Sequence, residues 1–189
     1  MKKTLLLFLL LPFLTFAQNV DLATWALTSN GNVTTKQSYV QPGIFTTYQN
    51  PITYGSTGAL VSGWDNSNFE HYRYLEISIS ATTGNAIWVT NLMFQQASIA
   101  NGGTPGPSSY LAKYYISENG NVPGEYNFYY TNSTTLVPEE SISGNTSKTI
   151  KINQSLSSNQ RLIVRLYTKG NDYNGIKWQF LANTLKFTG

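Results

Sequence analysis

Residues 160–169, QRLIVRLYTK, alternate in character: Leu162, Val164 and Leu166 share one face, Arg165 and Tyr167 the other. A side-chain period of two marks a strand with one face against a core. The same alternation runs through HYRYLEISIS, residues 71–80, where Leu75, Ile77 and Ile79 oppose Tyr74, Glu76 and Ser78. No long amphipathic helical pattern follows residue 17. A chain of such runs folds as sheets, and sheets with one apolar face bury it against each other.

Further strand candidates lie between turn clusters. ATWALT is the first, and GIFTTYQNPITYG a weaker pair broken at Pro51. NAIWVTNLMFQQ is apolar on both faces in part and reads as a central strand. EYNFYYTN and KTIKINQS follow, the latter with Ile150 and Ile152 on one face. GIKWQFLANTLKFTG closes the chain with Ile176, Trp178 and Phe180 together. About eight to ten strands suit an all-β, antiparallel, two-sheet jelly-roll sandwich. In TPGPSSYLAKYYISENG, alternation places Ala112, Tyr114 and Ile116 inward and Lys113, Tyr115 and Ser117 outward. The polar, turn-rich TTLVPEESISGNTSKT reads as a long surface connection.

The first residues, MKKTLLLFLLLPFLTFAQNV, have the layout of a secretory signal peptide. Lys2 and Lys3 form the basic end, Leu5 to Leu14 the apolar run, and Thr15-Phe16-Ala17 the cleavage site. The apolar run is short for a spanning helix, which needs about 20 residues. The expected domains are a signal peptide over 1–17 and a single sandwich over 18–189. The expected location is extracellular or at the cell surface, with no membrane span in the mature chain.

Composition narrows the chemistry. The net charge is +3, with 12 basic and 9 acidic residues, and Lys2 and Lys3 leave with the signal. No basic patch remains for nucleic acid. The chain has no cysteine, which removes disulfides and thiol chemistry. His71 is its one histidine, and no Gly-x-Ser-x-Gly elbow occurs, so a Ser/His/Asp triad is disfavoured. Zinc-type sites need several His or Cys ligands. For glycoside hydrolysis, adjacent Glu139 and Glu140 would point to opposite strand faces, and Glu70 and Glu76 would stand about 20 Å apart.

In order, the runs resemble a family of secreted bacterial jelly-roll modules. These occur in proteins exported with C-terminal (type IX) sorting signals and are galactose-binding-like or carbohydrate-binding-module-like. The matching pieces are LATWALT, VSGWDNSNFEHYRYLEISIS, WVTNLMF, GPSSYLAKYYIS, LIVRLYTKG and GIKWQFLANTLKFTG. Where the family often has Asp-Asn in its final strand, this chain has Ala182-Asn183. The resemblance implies a jelly-roll fold and an extracellular setting, and it transfers no catalytic residue. The family's sorting domain is missing after Gly189, so whether the chain is one module of a longer protein stays open.

Two binding chemistries remain. Calcium takes oxygen ligands alone, and Asp65, Asn66 and Asp172, with Asn68, Glu70 and Asn174 nearby, are the candidates for a structural ion. Asx-rich turns also form without metal. Carbohydrate stacks on exposed rings, for which Trp64, Tyr72, Tyr74 and Tyr115 are the chosen candidates, ahead of Tyr129, Tyr130 and Tyr173. Trp25, Trp88 and Trp178 are assigned to the core. The favoured reading is a non-catalytic recognition or accessory module whose partner is a polysaccharide or cell-surface glycan. A structural or adhesive module with protein partners is the alternative, and a glycan-active enzyme the third.

Overall fold

The computed structural model describes residues 19–64, 68–100, 106–142, 144–170 and 177–189. They form an antiparallel two-sheet β-sandwich. Its strands are β1 (Asp21–Trp25), β2 (Val33–Lys36), β3 (Val40–Pro42), β4 (Thr46–Tyr48), β5 (Ile52–Gly55), β6 (Gly58–Val61) and β7 (Tyr74–Ala81). Then follow β8 (Ile87–Ile99), β9 (Pro107–Glu118), β10 (Thr134–Ser141), β11 (Thr146–Leu156), β12 (Gln160–Gly170), β13 (Lys177–Leu181) and β14 (Leu185–Thr188). One helical element, α1 (Glu125–Asn127), runs directly into a π-helical turn over Phe128–Asn132.

The larger sheet has the order β2-β1-β14-β8-β13-β6-β5, with β11 on the other side of β8. The smaller has the order β10-β9-β12-β7-β3, with β4 also pairing β7. Long β8 is thus a hub: β14 and β13 share one of its edges, and β11 takes the other. The alternation expected for residues 71–80 and 160–169 holds at the core, where Leu75, Ile77, Ile79, Leu162, Val164 and Leu166 are buried together. Trp25, Phe45, Phe94, Trp178, Phe180 and Phe187 fill the same core from the facing elements.

Two turns show why the sequence reads as it does. At Gly58 the backbone has φ +123°, and a Cβ would fall 1.9 Å from the carbonyl oxygen of Phe180, so only glycine fits the β5–β6 turn. Between β13 and β14, Asn183 adopts φ +61° and donates its backbone N–H to Ala26. Asparagine tolerates that left-handed geometry better than most residues. The Ala182-Asn183 pair is therefore a turn within the final strands.

Three expectations need correction. EYNFYYTN is not a strand but α1 and its π-turn. Aromatic β-propensity yields here to tertiary packing: Phe128 is fully buried, and Ser133 Oγ, Thr131 Oγ1 and Lys113 Nζ bond carbonyls of the helical turn. TTLVPEESISGNTSKT is not a loose connection, because it supplies β10 and the start of β11. Trp88 is not in the core: it projects from β8 and is 53% exposed. Arg165 and Tyr167 do lie on the outer face of β12, yet they are buried, because the helical turn covers that face. On β9 Tyr114 and Ile116 pack against the main core as expected, whereas outward Tyr115 is half-buried against Phe128 and outward Ser117 is buried, its hydroxyl donating to the Asn121 carbonyl.

Candidate aromatic binding site

The outer face of the smaller sheet carries a second, smaller core of Tyr74, Leu111 and Tyr167, flanked by Phe69 and Tyr129. Arg165 lies within it. Its guanidinium carbon is 4.0 Å from the ring centres of both Tyr74 and Phe128, and its Nε donates to Glu76 Oε2 at 2.8 Å. A guanidinium between two rings gains cation–π attraction on both faces. Burial pushes the Tyr74 hydroxyl pKa up to about 12, although Arg165 opposes the shift. Burial also raises the Tyr167 hydroxyl. This layer fixes the helical turn to the sheet.

Above it sits a platform of exposed rings. Tyr126 and Tyr130 are 61% and 56% exposed, and their ring centres are 4.6 Å apart. They are four residues apart on a helical stretch, which brings side chains to one face. Tyr129 meets Tyr130 edge-on at 4.7 Å and reaches down to Tyr167 at 4.8 Å. His71 faces the group from the loop before β7, with ring centres 5.6 Å from Tyr126 and 5.8 Å from Tyr130.

That loop is fastened in turn. Arg73 Nη1 donates to the Gly63 carbonyl at 2.8 Å, and its Nε lies 2.9 Å from Glu70 Oε2. Tyr72 packs edge-on against His71 and donates to Glu70 Oε1. The rings thus rest on backbone held by ion pairs and a buried layer. Such a surface is apolar across its faces and polar at its rim, where hydroxyls and imidazole nitrogens meet water.

Of the four chosen sequence candidates, only Tyr72 joins the platform. Trp64 is 1% exposed and belongs to the main core. Tyr74 is 6% exposed and stacks on Tyr48 beneath the platform. Tyr115 is half-buried and abuts Phe128 from below. From the wider set, Tyr129 and Tyr130 are present, and Tyr173 lies outside the described residues. So do the calcium candidates Asp65, Asn66 and Asp172, and Asn174 with them. Among the described residues no group of three or more His, Cys, Asp or Glu side chains comes together.

Tyr126 and His71 are the platform residues outside both sets of ring candidates. The i, i+4 spacing of Tyr126 and Tyr130 was the available signal, hidden by reading their segment as a strand. The carboxylates weighed for hydrolysis are each engaged. Glu70 pairs with Arg73, Glu76 with Arg165, Glu139 with Lys169, and Glu140 with Lys148.

No protein-family model matches the chain, and no curated protein does. Among solved structures, the carbohydrate-binding module TmCBM61, determined in complex with β-1,4-galactotriose, superposes with a TM-score of 0.37 at 12% identity. The match covers 80% of this chain and 90% of that one. At that TM-score the likeness assigns neither a family nor a ligand.

Proposed function

We propose that this protein is a non-catalytic extracellular carbohydrate-recognition module that binds sugar rings on the tyrosine platform. The observation that supports it is the exposed Tyr126–Tyr130 pair with His71 beside it, on backbone fixed by a buried arginine–aromatic layer. A pyranose presents an apolar face of C–H groups and a rim of hydroxyls, and the platform offers the matching arrangement. Rigid tyrosines lose little conformational freedom on binding, so stacking is not offset by ordering. The binding partner is a polysaccharide or a cell-surface glycan.

The test is retardation in polysaccharide-containing native gels, run with and without EDTA so that any cation requirement shows. The double variant Tyr126→Ala/Tyr130→Ala is expected to weaken binding about tenfold, equivalent to about 1.4 kcal/mol. Equal retardation of the wild type and the double variant would remove the platform from the reading. The export part is checked separately, by the mass of secreted protein, which should begin at Gln18.

A further inference from the structure

We infer a second sugar-binding site on the opposite sheet, centred on Trp88, which makes the module a bridge between two glycan chains. The inference extends the carbohydrate reading and rests on a different part of the molecule. Trp88 projects outward from β8 on the larger sheet, between buried Ile87 and Val89. Its indole N–H donates to Asn153 Oδ1 at 3.0 Å. Asn153 sits in left-handed backbone, φ +56°, where the register of β11 against β8 shifts. The ring is therefore oriented by a dedicated partner, its polar atom is satisfied within the protein, and half its surface remains open.

Trp88 also borders a cleft of about 380 Å³, lined with it by Val20, Leu22, Tyr39, Asn85 and Gly189 among others. That volume lies at the lower end of the range for small-ligand sites, about 300–1,000 Å³. The adjoining backbone is rigid: Val20 and Gly189 exchange two hydrogen bonds, at 2.8 and 3.0 Å. The lining mixes aliphatic carbon with amide and phenol groups and carries no charged side chain. An oriented indole bordering a small cleft free of charged side chains fits a pyranose unit.

Placement gives the two sites their combined use. The tyrosine platform covers the outer face of the smaller sheet, and Trp88 stands on the outer face of the larger one. Packed sheets are about 10 Å apart before their outer side chains are added. A short oligosaccharide cannot wrap from one face to the other, so simultaneous occupancy joins separate chains. On a polymer or a glycan-covered surface, the second contact is made at high effective concentration.

Tryptophan emission separates the two sites. Trp25, Trp64 and Trp178 are at most 1% exposed, against 53% for Trp88, so collisional quenching by iodide reads Trp88 almost alone. The probes are soluble β-1,4-galactan, laminarin, xylan and mannan. They are added to the wild type, Trp88→Ala and Tyr126→Ala/Tyr130→Ala. A polymer that binds is expected to lower the wild-type quenching constant at least twofold, and to do so in the double tyrosine variant as well. Light scattering should show large polymer–protein assemblies with the wild type and neither variant. A polymer retained through the tyrosines with Trp88 quenching unchanged overturns the second site and leaves the platform reading standing. Protection of Trp88 together with undiminished polymer–protein assemblies in the double tyrosine variant supports the second site and removes the platform. Protection that grows with protein concentration alone overturns the inference, because a second copy then covers the face. If no polymer protects Trp88, the inference is overturned regardless of what the platform binds.

Discussion

Arg165 holds together the ground beneath the platform. It contacts Tyr74 and Phe128 through its two faces and Glu76 through Nε, while being 4% exposed. Removing one partner of a buried ion pair leaves the other uncompensated, and Arg165→Ala also removes the filling between two rings. Arg165→Ala is expected to cost about 3 kcal/mol, read as a lower urea midpoint. Arg165→Lys keeps the charge but not the planar stack. It is expected to remain folded with a smaller loss and to bind polysaccharide more weakly, because Phe128 and the helical turn are no longer clamped. Full retention of both stability and binding in Arg165→Lys would show that charge alone suffices.

At the scale of elements, β10 depends on charged side chains at its end. Glu140 accepts from the Tyr110 hydroxyl at 2.6 Å and pairs with Lys148 of β11, while Glu139 accepts from Ser109 of β9 and Lys169 of β12. Burial alone would raise the Glu140 carboxyl pKa, but the bonds from Lys148 and Tyr110 outweigh it and hold the pKa below the usual range. Hydrogen bonds from Lys169 and Ser109 lower Glu139 as well. A carboxylate lowered on folding stabilises fully above its unfolded pKa, and that contribution disappears as pH falls through the folded value. Stability should therefore decline as pH drops below about 4.3, the unperturbed glutamate value. Glu140→Gln should flatten that decline in urea midpoints measured across the acid range. β10 also shows what was legible in sequence. Runs with clean alternation, such as residues 71–80 and 160–169, announced their strands and their inward faces. β10 has Pro138 and adjacent glutamates, and its pairing with β9 shifts register twice, so no periodicity marked it. The platform was hidden for a related reason. Outer-face residues of β12 and β9 alternate as if solvent-facing, and what buries them is a helical turn whose aromatic content reads as strand.

Over the whole molecule, the two ends of the described chain meet in the middle of a sheet. β14 lies between β1 and β8, so among the described residues β1 and β2 are paired into the larger sheet through β14, the last strand in the sequence. Leu185 and Phe187 of β14 are fully buried, and Phe187 packs edge-on against Trp25 of β1 at 5.9 Å. The tyrosine platform and Trp88 sit on different sheets, so both sites depend on this closure. Phe187→Ala should cost about 3–5 kcal/mol through the cavity it leaves, a large fraction of the stability of a single domain. Deleting residues 185–189 goes further: it uncovers the edges of β1 and β8 and opens the core at Trp25. Exposed apolar edges promote intermolecular pairing. The truncated chain is expected to lose its cooperative thermal transition and near-ultraviolet dichroism and to aggregate. Adding a synthetic peptide of residues 183–189 tests whether the missing strand alone is responsible. Recovery of the transition on peptide addition would support that role, whereas a truncated chain with an unchanged transition would show that β14 is dispensable and that β1 holds to the sheet by other contacts.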